Sequence, residues 1–271
     1  MTMTVDAGRV EFLRELTARH AGLLVWKHLE RALQGQGDVD AAAPVADVAA
    51  LRGDATSIAA RTLAASHVIL CDHIADKSLH FFVQPDRLPQ LFEFDICTQP
   101  SRGLAPWARP DLMLPLATMS AEGIRRLRPG AEAVVSLVYH GLSPSGAPRL
   151  TGSERTLVEV GLAEDRAGAH EACASLPPRA ARRPLAALVE TVSCGGWDRR
   201  LARRAYVGFA LAACAHPRFA VRRLGLRAGL ATGRECVMSR LARREGRRVP
   251  PSGVDALLRA ARADGHVVIA L

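Results

Sequence analysis

The spacing of apolar side chains predicts that the first hundred residues alternate between helices and strands. Apolar residues recur every three or four positions over 8–21 and 27–33, and a third helix is expected over 45–64, interrupted near Gly53. Short apolar runs predict the strands, which are Leu23–Trp26, 38–43, His67–Leu70, Leu79–Val83 and Leu91–Ile96. The predicted order is α-β-α-β-α-β-β-β, which is typical of a compact α/β domain.

The pattern becomes mainly helical after a loop rich in Pro, Gly and Arg at residues 98–110. The helices expected there are Ala131–His140, 152–162, 166–175, 180–193, 198–215, 218–229, 233–244 and 253–263. We therefore predict an α/β (α+β) core with a mixed sheet in residues 1–110. A mostly α-helical domain is predicted for residues 111–271.

Carboxylates occupy alternating positions on two of the predicted strands. Asp38 and Asp40 flank Val39, and Glu93 and Asp95 flank Phe94. Residues i and i+2 of a strand project from the same face, so each pair shares a face. Adjacent carboxylates repel unless a cation lies between them, and Mg²⁺ prefers oxygen ligands. The sequence thus predicts a metal site made by Asp38, Asp40 and Asp95, with Glu93 as a fourth ligand or a group behind the ligands.

The order of these features over residues 20–100 resembles the nucleotidyltransferase-fold superfamily, whose best-known member is DNA polymerase beta. An apolar strand, a helix and a glycine-rich break precede the Asp-x-Asp strand; a helix, a hairpin and a strand carrying an Asp between apolar residues follow. The resemblance implies that Asp38 and Asp40 are paired metal ligands and that Asp95 is the third carboxylate. It also implies two Mg²⁺ ions and transfer of a nucleoside monophosphate from a nucleoside triphosphate (NTP) to a hydroxyl acceptor.

The segment that binds triphosphate in that family differs here. The family has a Gly-Gly or Gly-Ser pair at the end of the first strand, where this chain has Val25-Trp26-Lys27-His28. Gly35 and Gly37 instead lie just before Asp38. By this resemblance we expect Lys27, at the start of a helix, to contact the triphosphate together with Gly35, Gly37 and Arg102.

Charge divides the chain into an acidic and a basic part. Residues 1–98 hold 9 Lys/Arg and 13 Asp/Glu, whereas residues 99–271 hold 27 and 14. The basic part either contacts an anionic partner or presents arginine on solvated helix faces. Aromatic residues are scarce outside 81–107, which disfavours base stacking. We therefore expect a small-molecule acceptor, with RNA bound through the basic helices as the alternative.

Only two residues of the chain are lysines, Lys27 and Lys77, and both lie in the acidic part. An ammonium is a compact point charge, whereas a guanidinium is broad and planar. This bias suggests that Lys27 and Lys77 occupy positions where a guanidinium group would not fit.

Composition also bears on the compartment. The six cysteines are scattered without a Cys-x-x-Cys pair, and no apolar run approaches the ~20 residues that span a bilayer. We expect a cytoplasmic protein with no membrane partner. The segment Cys71-Asp72-His73, with Asp76 and His80 close by, could form a metal cluster or a Cys-His nucleophile pair, but we favour a simple loop between the strands of a hairpin.

Three functional interpretations remain open at this point. The residues favour an enzyme, a Mg²⁺-dependent nucleotidyltransferase. The alternative is an inactive protein of the same fold that acts as a binding module for nucleic acid or a partner. In the third, Asp38 and Asp40 lie in a solvated loop.

Overall fold

The structure, a computed structural model, describes residues 5–35, 37–73, 77–84, 91–150, 152–227, 254–263 and 266–271. The chain divides into two compact units. The first comprises Met1–Thr98, Met119–Arg125 and Ala228–Leu271, and the second comprises Gln99–Thr118 and Arg126–Arg227. The predicted mixture of helices with a mixed sheet, followed by a helical region, is confirmed.

The first hundred residues follow the predicted order of elements. They form α1 (Ala7–Arg19), β1 (Leu24–Lys27), α2 (Leu29–Leu33), β2 (Val39–Ala42), α3 (Val48–Thr62), β3 (His67–His73), β4 (Lys77–Val83) and β5 (Leu91–Cys97).

The rest of the described chain is mostly helical. It forms β6 (Ser101–Arg102), β7 (Ala105–Pro106), α4 (Pro110–Met113), β8 (Ala117–Met119), β9 (Arg125–Leu127), α5 (Pro129–Ser136), α6 (Gly152–Glu164), α7 (Arg166–Ser175), α8 (Arg179–Ser193), α9 (Arg199–Cys214), α10 (Pro217–Arg227), α11 (Val254–Ala263) and β10 (Val267–Ala270). The expected helix 233–244 lies outside the described residues. None of the strands β6 to β10 was predicted, and β6 and β7 lie in the segment that was expected to be a loop.

Within the described residues, one sheet contains eight strands in the order β10-β3-β4-β5-β2-β1-β9-β8. Strands β2 and β5 are parallel, whereas β5 pairs with β4, and β4 with β3, in antiparallel fashion. The register places Asp40 directly beside Asp95. The mixed sheet therefore brings together two strands that are about fifty residues apart in sequence.

Apolar side chains cover both faces of the sheet at β3–β5. On one face, the ring of Phe12 from α1 meets the rings of Phe82, Phe92 and Phe94 edge-on at 5.3–5.6 Å. On the opposite face, Leu257 and other residues of α11 pack in a second cluster. Burial on both faces explains why β5 has no exposed residue although it carries two carboxylates.

The second unit is built from helices that pack closely. Helices α8 and α9 meet at Gly208, where an added Cβ would lie 2.6 Å from the backbone nitrogen of Ala181. Asp198 caps α9 by accepting hydrogen bonds from the amides of Arg200 and Leu201. None of the helices in the described part of the chain is long and apolar enough to cross a membrane.

Two local predictions were wrong. Helix α3 continues through Gly53, whose Cβ position faces open space, so the helix only bears the glycine's cost of ~1 kcal/mol. Lys27 does not begin a helix. It is the last residue of β1, and His28 follows in a left-handed conformation with φ of 61° before α2 starts.

Candidate functional site

The carboxylates of the candidate site come from the parallel pair β2–β5. Val39 and Phe94 are partners in the register and point into the core against α1. Because side chains alternate along a strand, Asp40 and Asp95 project from the opposite face. Asp38 and Glu93 lie two residues before them and share that face.

Asp38, Glu93 and Asp95 form an acidic triad. Each offers one carboxylate oxygen, and these oxygens lie within 4.8 Å of one another. Glu93 and Asp95 are buried and Asp38 is half-buried. The Oδ1 atom of Asp95 is buried and has no hydrogen-bond partner among the described residues. Since an unsatisfied buried carboxylate oxygen is costly, this triad could bind a metal ion.

Both lysines of the chain lie beside this triad, on Asp40. Lys27 Nζ is 2.9 Å from Asp40 Oδ2, and Lys77 Nζ is 3.6 Å from Asp40 Oδ1. Lys77 Nζ also donates a hydrogen bond to Asp95 Oδ2 at 3.0 Å. The two ammonium groups therefore partly neutralise the buried carboxylates of β2 and β5.

A β-bulge in β1 directs Lys27 toward Asp40. Val25 pairs with Ala41, but Lys27 pairs with Asp40, so Trp26 is the extra residue of the irregular register. Val25 packs in the core with α1. In a regular strand, Lys27 would share the face of Val25 and enter this core. The bulge instead turns Lys27 to the carboxylate face.

The neighbouring charges shift the pKa values of the site in different directions. Burial opposes ionisation of Asp40, but attraction to Lys27 and Lys77 outweighs it and lowers the pKa of Asp40. Burial raises the pKa of Asp95 to about 6; Lys77 opposes this shift, and the charges of Asp40 and Asp38 add to it. Burial also disfavours the charged form of Lys77, but Asp95 and Asp40 raise its pKa well above the usual value.

The other residues predicted to contact phosphate have local structural roles in this structure. Gly35 and Gly37 adopt left-handed φ values of 77° and 105°, which explains the need for glycine without invoking a ligand. Arg102 belongs to the second unit, where it donates a hydrogen bond to the carbonyl of Leu142 at 2.7 Å and lies over the ring of Tyr206. Their binding of phosphate stays a prediction.

The sheet keeps Cys71 and His80 from forming a Cys-His pair. Cys71 packs with Leu79 on the α11 face. His80 lies on the other face, against the rings of Phe82 and Phe94. The two side chains project from opposite faces of the sheet, so they do not form a nucleophile and its base.

Lys77 is the site residue that the motif analysis missed. It lies outside the Asp-x-Asp and Phe-Asp-Ile segments that carry the resemblance. The signal that could have found it was the scarcity of lysine, because the only two lysines of the chain meet at one carboxylate.

No protein-family model matches the chain, and neither the curated proteins nor the solved structures contain a match to it. The likeness to the nucleotidyltransferase fold therefore depends on the residues and on the order of elements alone.

Proposed function

We propose that the first unit is a nucleotidyltransferase-like core that transfers a nucleoside monophosphate from an NTP to a hydroxyl acceptor, which we take to be a small molecule. The observation that carries the proposal is the convergence of Asp38, Glu93 and Asp95 beside Asp40 on the parallel pair β2–β5. A cytoplasmic location, where NTPs are abundant, is part of the proposal.

The donor set suits a hard divalent cation. It consists only of carboxylate oxygens, and Asp95 Oδ1 is buried without a partner in the described part of the chain. We assign Asp38, Asp40 and Asp95 to hold Mg²⁺, with Glu93 as a further ligand. Two such ions supply positive charge at the attacking and leaving oxygens of an in-line displacement.

The side chains of the site have separate tasks in this proposal. Lys27 offers an ammonium to the phosphates at the end of β1. Asp95, whose pKa is raised to about 6 by burial, is mostly ionised at neutral pH and accepts the proton of the acceptor hydroxyl. The buried walls of β4 and β5 limit access of water to the reacting groups.

Nucleotide binding tests the proposal first. Calorimetric titration with ATP, CTP, GTP and UTP, each with Mg²⁺, should reveal at least one ligand, and Asp95→Asn should weaken its binding at least tenfold. Glu11→Gln, which removes an exposed carboxylate of α1, is the matched control and should bind as the wild type does. Failure of all four nucleotides to bind would overturn the proposal.

Transfer is then measured with α-phosphate-labelled nucleotide. A panel of small hydroxylated compounds and short RNA serves as acceptors. Label on a small compound supports the proposed acceptor class. Label on RNA alone would show that the acceptor class is wrong.

A second candidate function, binding of nucleic acid, is favoured by the surface of the second unit. Seven arginines of α8, α9 and α10 are exposed and have no acidic partner among the described residues. They are Arg179, Arg183, Arg199, Arg200, Arg203, Arg204 and Arg218. Unpaired arginines suit a polyanion, because each can neutralise one phosphate.

Salt dependence distinguishes this function from catalysis. If the arginines bind RNA, the logarithm of the affinity should fall linearly with the logarithm of the salt concentration. The double variant Arg200→Gln/Arg204→Gln should reduce that slope by about 2. Asp40→Asn should leave RNA binding unchanged. An unchanged slope in the double variant would rule out this surface.

A further inference from the structure

Lys77 and Lys27 contact the acidic site in unequal ways. Lys77 Nζ bridges Asp95 Oδ2 at 3.0 Å and Asp40 Oδ1 at 3.6 Å, and its side chain is 30% exposed. Lys27 Nζ contacts Asp40, lies 5.3 Å from the centre of the Trp26 ring, and is 14% exposed. Lys27 is thus more deeply buried, while Lys77 has a route from the carboxylates to solvent.

Lys77 contacts Asp40 and also Asp95, which is one of the three carboxylates that could bind a metal ion. Asp95 contributes Oδ2 to Lys77, and Asp95 also belongs to the triad with Asp38 and Glu93. An ammonium and a divalent cation repel each other at such distances, so both cannot share Asp95 at full strength. Binding of a metal ion therefore weakens the hold of Asp95 on Lys77.

The choice of lysine is consistent with a cation that has to move. Of 36 basic residues, only Lys27 and Lys77 are lysines, and both contact Asp40. An arginine at position 77 would form a planar bidentate clamp with a carboxylate. A lysine presents a single point charge on a flexible stem, which can leave the carboxylates at lower cost.

We propose that Lys77 is an exchangeable counter-ion of this site. Its ammonium neutralises Asp40 and Asp95 when no metal is bound, and a divalent cation displaces it. The released ammonium then contacts the phosphates of the nucleotide. This inference rests on the proposed function for its last step, but the exchange itself concerns only the metal and the protein.

Chemical labelling of the wild-type protein tests the exchange directly. N-hydroxysuccinimidyl acetate acetylates accessible amines, and only two lysines have to be followed by mass spectrometry of tryptic peptides. We expect saturating Mn²⁺ to increase acetylation of Lys77 at least threefold over the rate in EDTA. Lys27 is the internal control, and its rate should change less than that of Lys77. Equal changes at both lysines, or none, would overturn the proposal.

Metal affinity of variants provides the second test. Because Lys77 competes with the cation, Lys77→Met should bind Mn²⁺ about tenfold more tightly than the wild type in a calorimetric titration, a gain of ~1.4 kcal/mol. Arg61→Met removes one exposed positive charge of the same unit and should leave the affinity unchanged. Mn²⁺ binding by Lys77→Met that equals or falls below the wild type, in protein shown by circular dichroism to be folded, would overturn the exchange.

The two proposals fail in different ways. Mn²⁺-dependent labelling of Lys77 without binding of any NTP would retain the exchange and overturn nucleotidyl transfer. NTP binding without tighter Mn²⁺ binding by Lys77→Met would overturn the exchange alone. If neither protein binds Mn²⁺, there is no cation to exchange, and this inference is wrong.

Discussion

The ion pairs of Asp40 and Asp95 in the first unit and that of Asp165 in the second unit contain different cations. In the first unit, buried Asp40 and Asp95 contact lysine ammonium groups. In the second unit, Asp165 accepts hydrogen bonds from Nε and Nη2 of Arg128 at 2.9 and 2.6 Å, in a bidentate pair nearer the surface. The guanidinium pair joins the start of α5 to the start of α7, whereas the ammonium pairs lie beside the acidic triad, which could bind a metal ion. Under the proposed function, lysine accompanies the carboxylates of the site and arginine accompanies a carboxylate that joins helices.

The largest effect that would sharpen this comparison is expected for Asp40→Asn. The substitution leaves Lys27 and Lys77 near an uncharged amide, so the free energy of unfolding should fall by about 3 kcal/mol, at the low end for a broken buried pair. We expect a loss at the low end of the range for buried pairs because Lys77 is partly exposed and keeps some contact with water. Urea denaturation in EDTA measures this loss of unfolding free energy. Asp165→Asn keeps a capping side chain on α7 and should cost about 1 kcal/mol or less; equal losses would remove the distinction.

An intermediate effect is expected from pH, through the buried His80. Burial, followed by the charge of Arg52, lowers the pKa of His80 to about 4 from 6.5. At this residue the unfolded chain binds more protons than the folded one between these values, so the contribution of His80 to stability is complete above pH 6.5 and is lost as pH falls toward 4. Asp95 opposes this loss, because its pKa is raised to about 6 and the folded state binds its proton first. At pH 5 the loss from His80 should be about 2 kcal/mol, which is smaller than the loss expected for Asp40→Asn.

A variant isolates this histidine. His80→Leu should become more stable relative to the wild type as pH falls from 6.5 to 4, as followed by urea denaturation of both proteins at several pH values. His216→Gln, at an exposed histidine of the second unit, should retain the wild-type profile. If both variants keep the same pH dependence, His80 is not the group responsible.

The smallest effect is expected for the exposed acid Glu190, which pairs with Arg166 and His170 on the surface of the second unit. Water and salt screen such pairs, so Glu190→Gln should leave the melting temperature within ~1 °C of the wild type. The measurement is a thermal melt at 50 mM and 1 M NaCl. A decrease in the melting temperature well beyond ~1 °C at 50 mM NaCl, absent at 1 M NaCl, would contradict this prediction. It would show that this surface ion pair contributes substantially to stability.

The sequence predicted the order of elements in the first hundred residues because the signals there are local. Alternation along Leu91–Ile96 predicted a strand with Glu93 and Asp95 on one face, and in the structure this strand pairs with β2 so that Asp95 lies beside Asp40. The bulge at Trp26 and the position of Lys77 could not be predicted, since both depend on how separate strands pair. Repulsion between Asp38 and Asp40 alone would have suggested that Asp40→Asn stabilises the protein without metal; its two lysine partners reverse that expectation.

Strand β10 affects the order in which the protein becomes structured during synthesis. It pairs with β3 from His67 to Leu70, although the two segments are about 200 residues apart. On the ribosome, β3 emerges long before β10, and its outer backbone groups remain unpaired during that interval. The helices of the second unit pack against close neighbours in sequence and can form in the meantime. We therefore expect a nascent chain ending near residue 227 to bind chaperones through the open edge of β3.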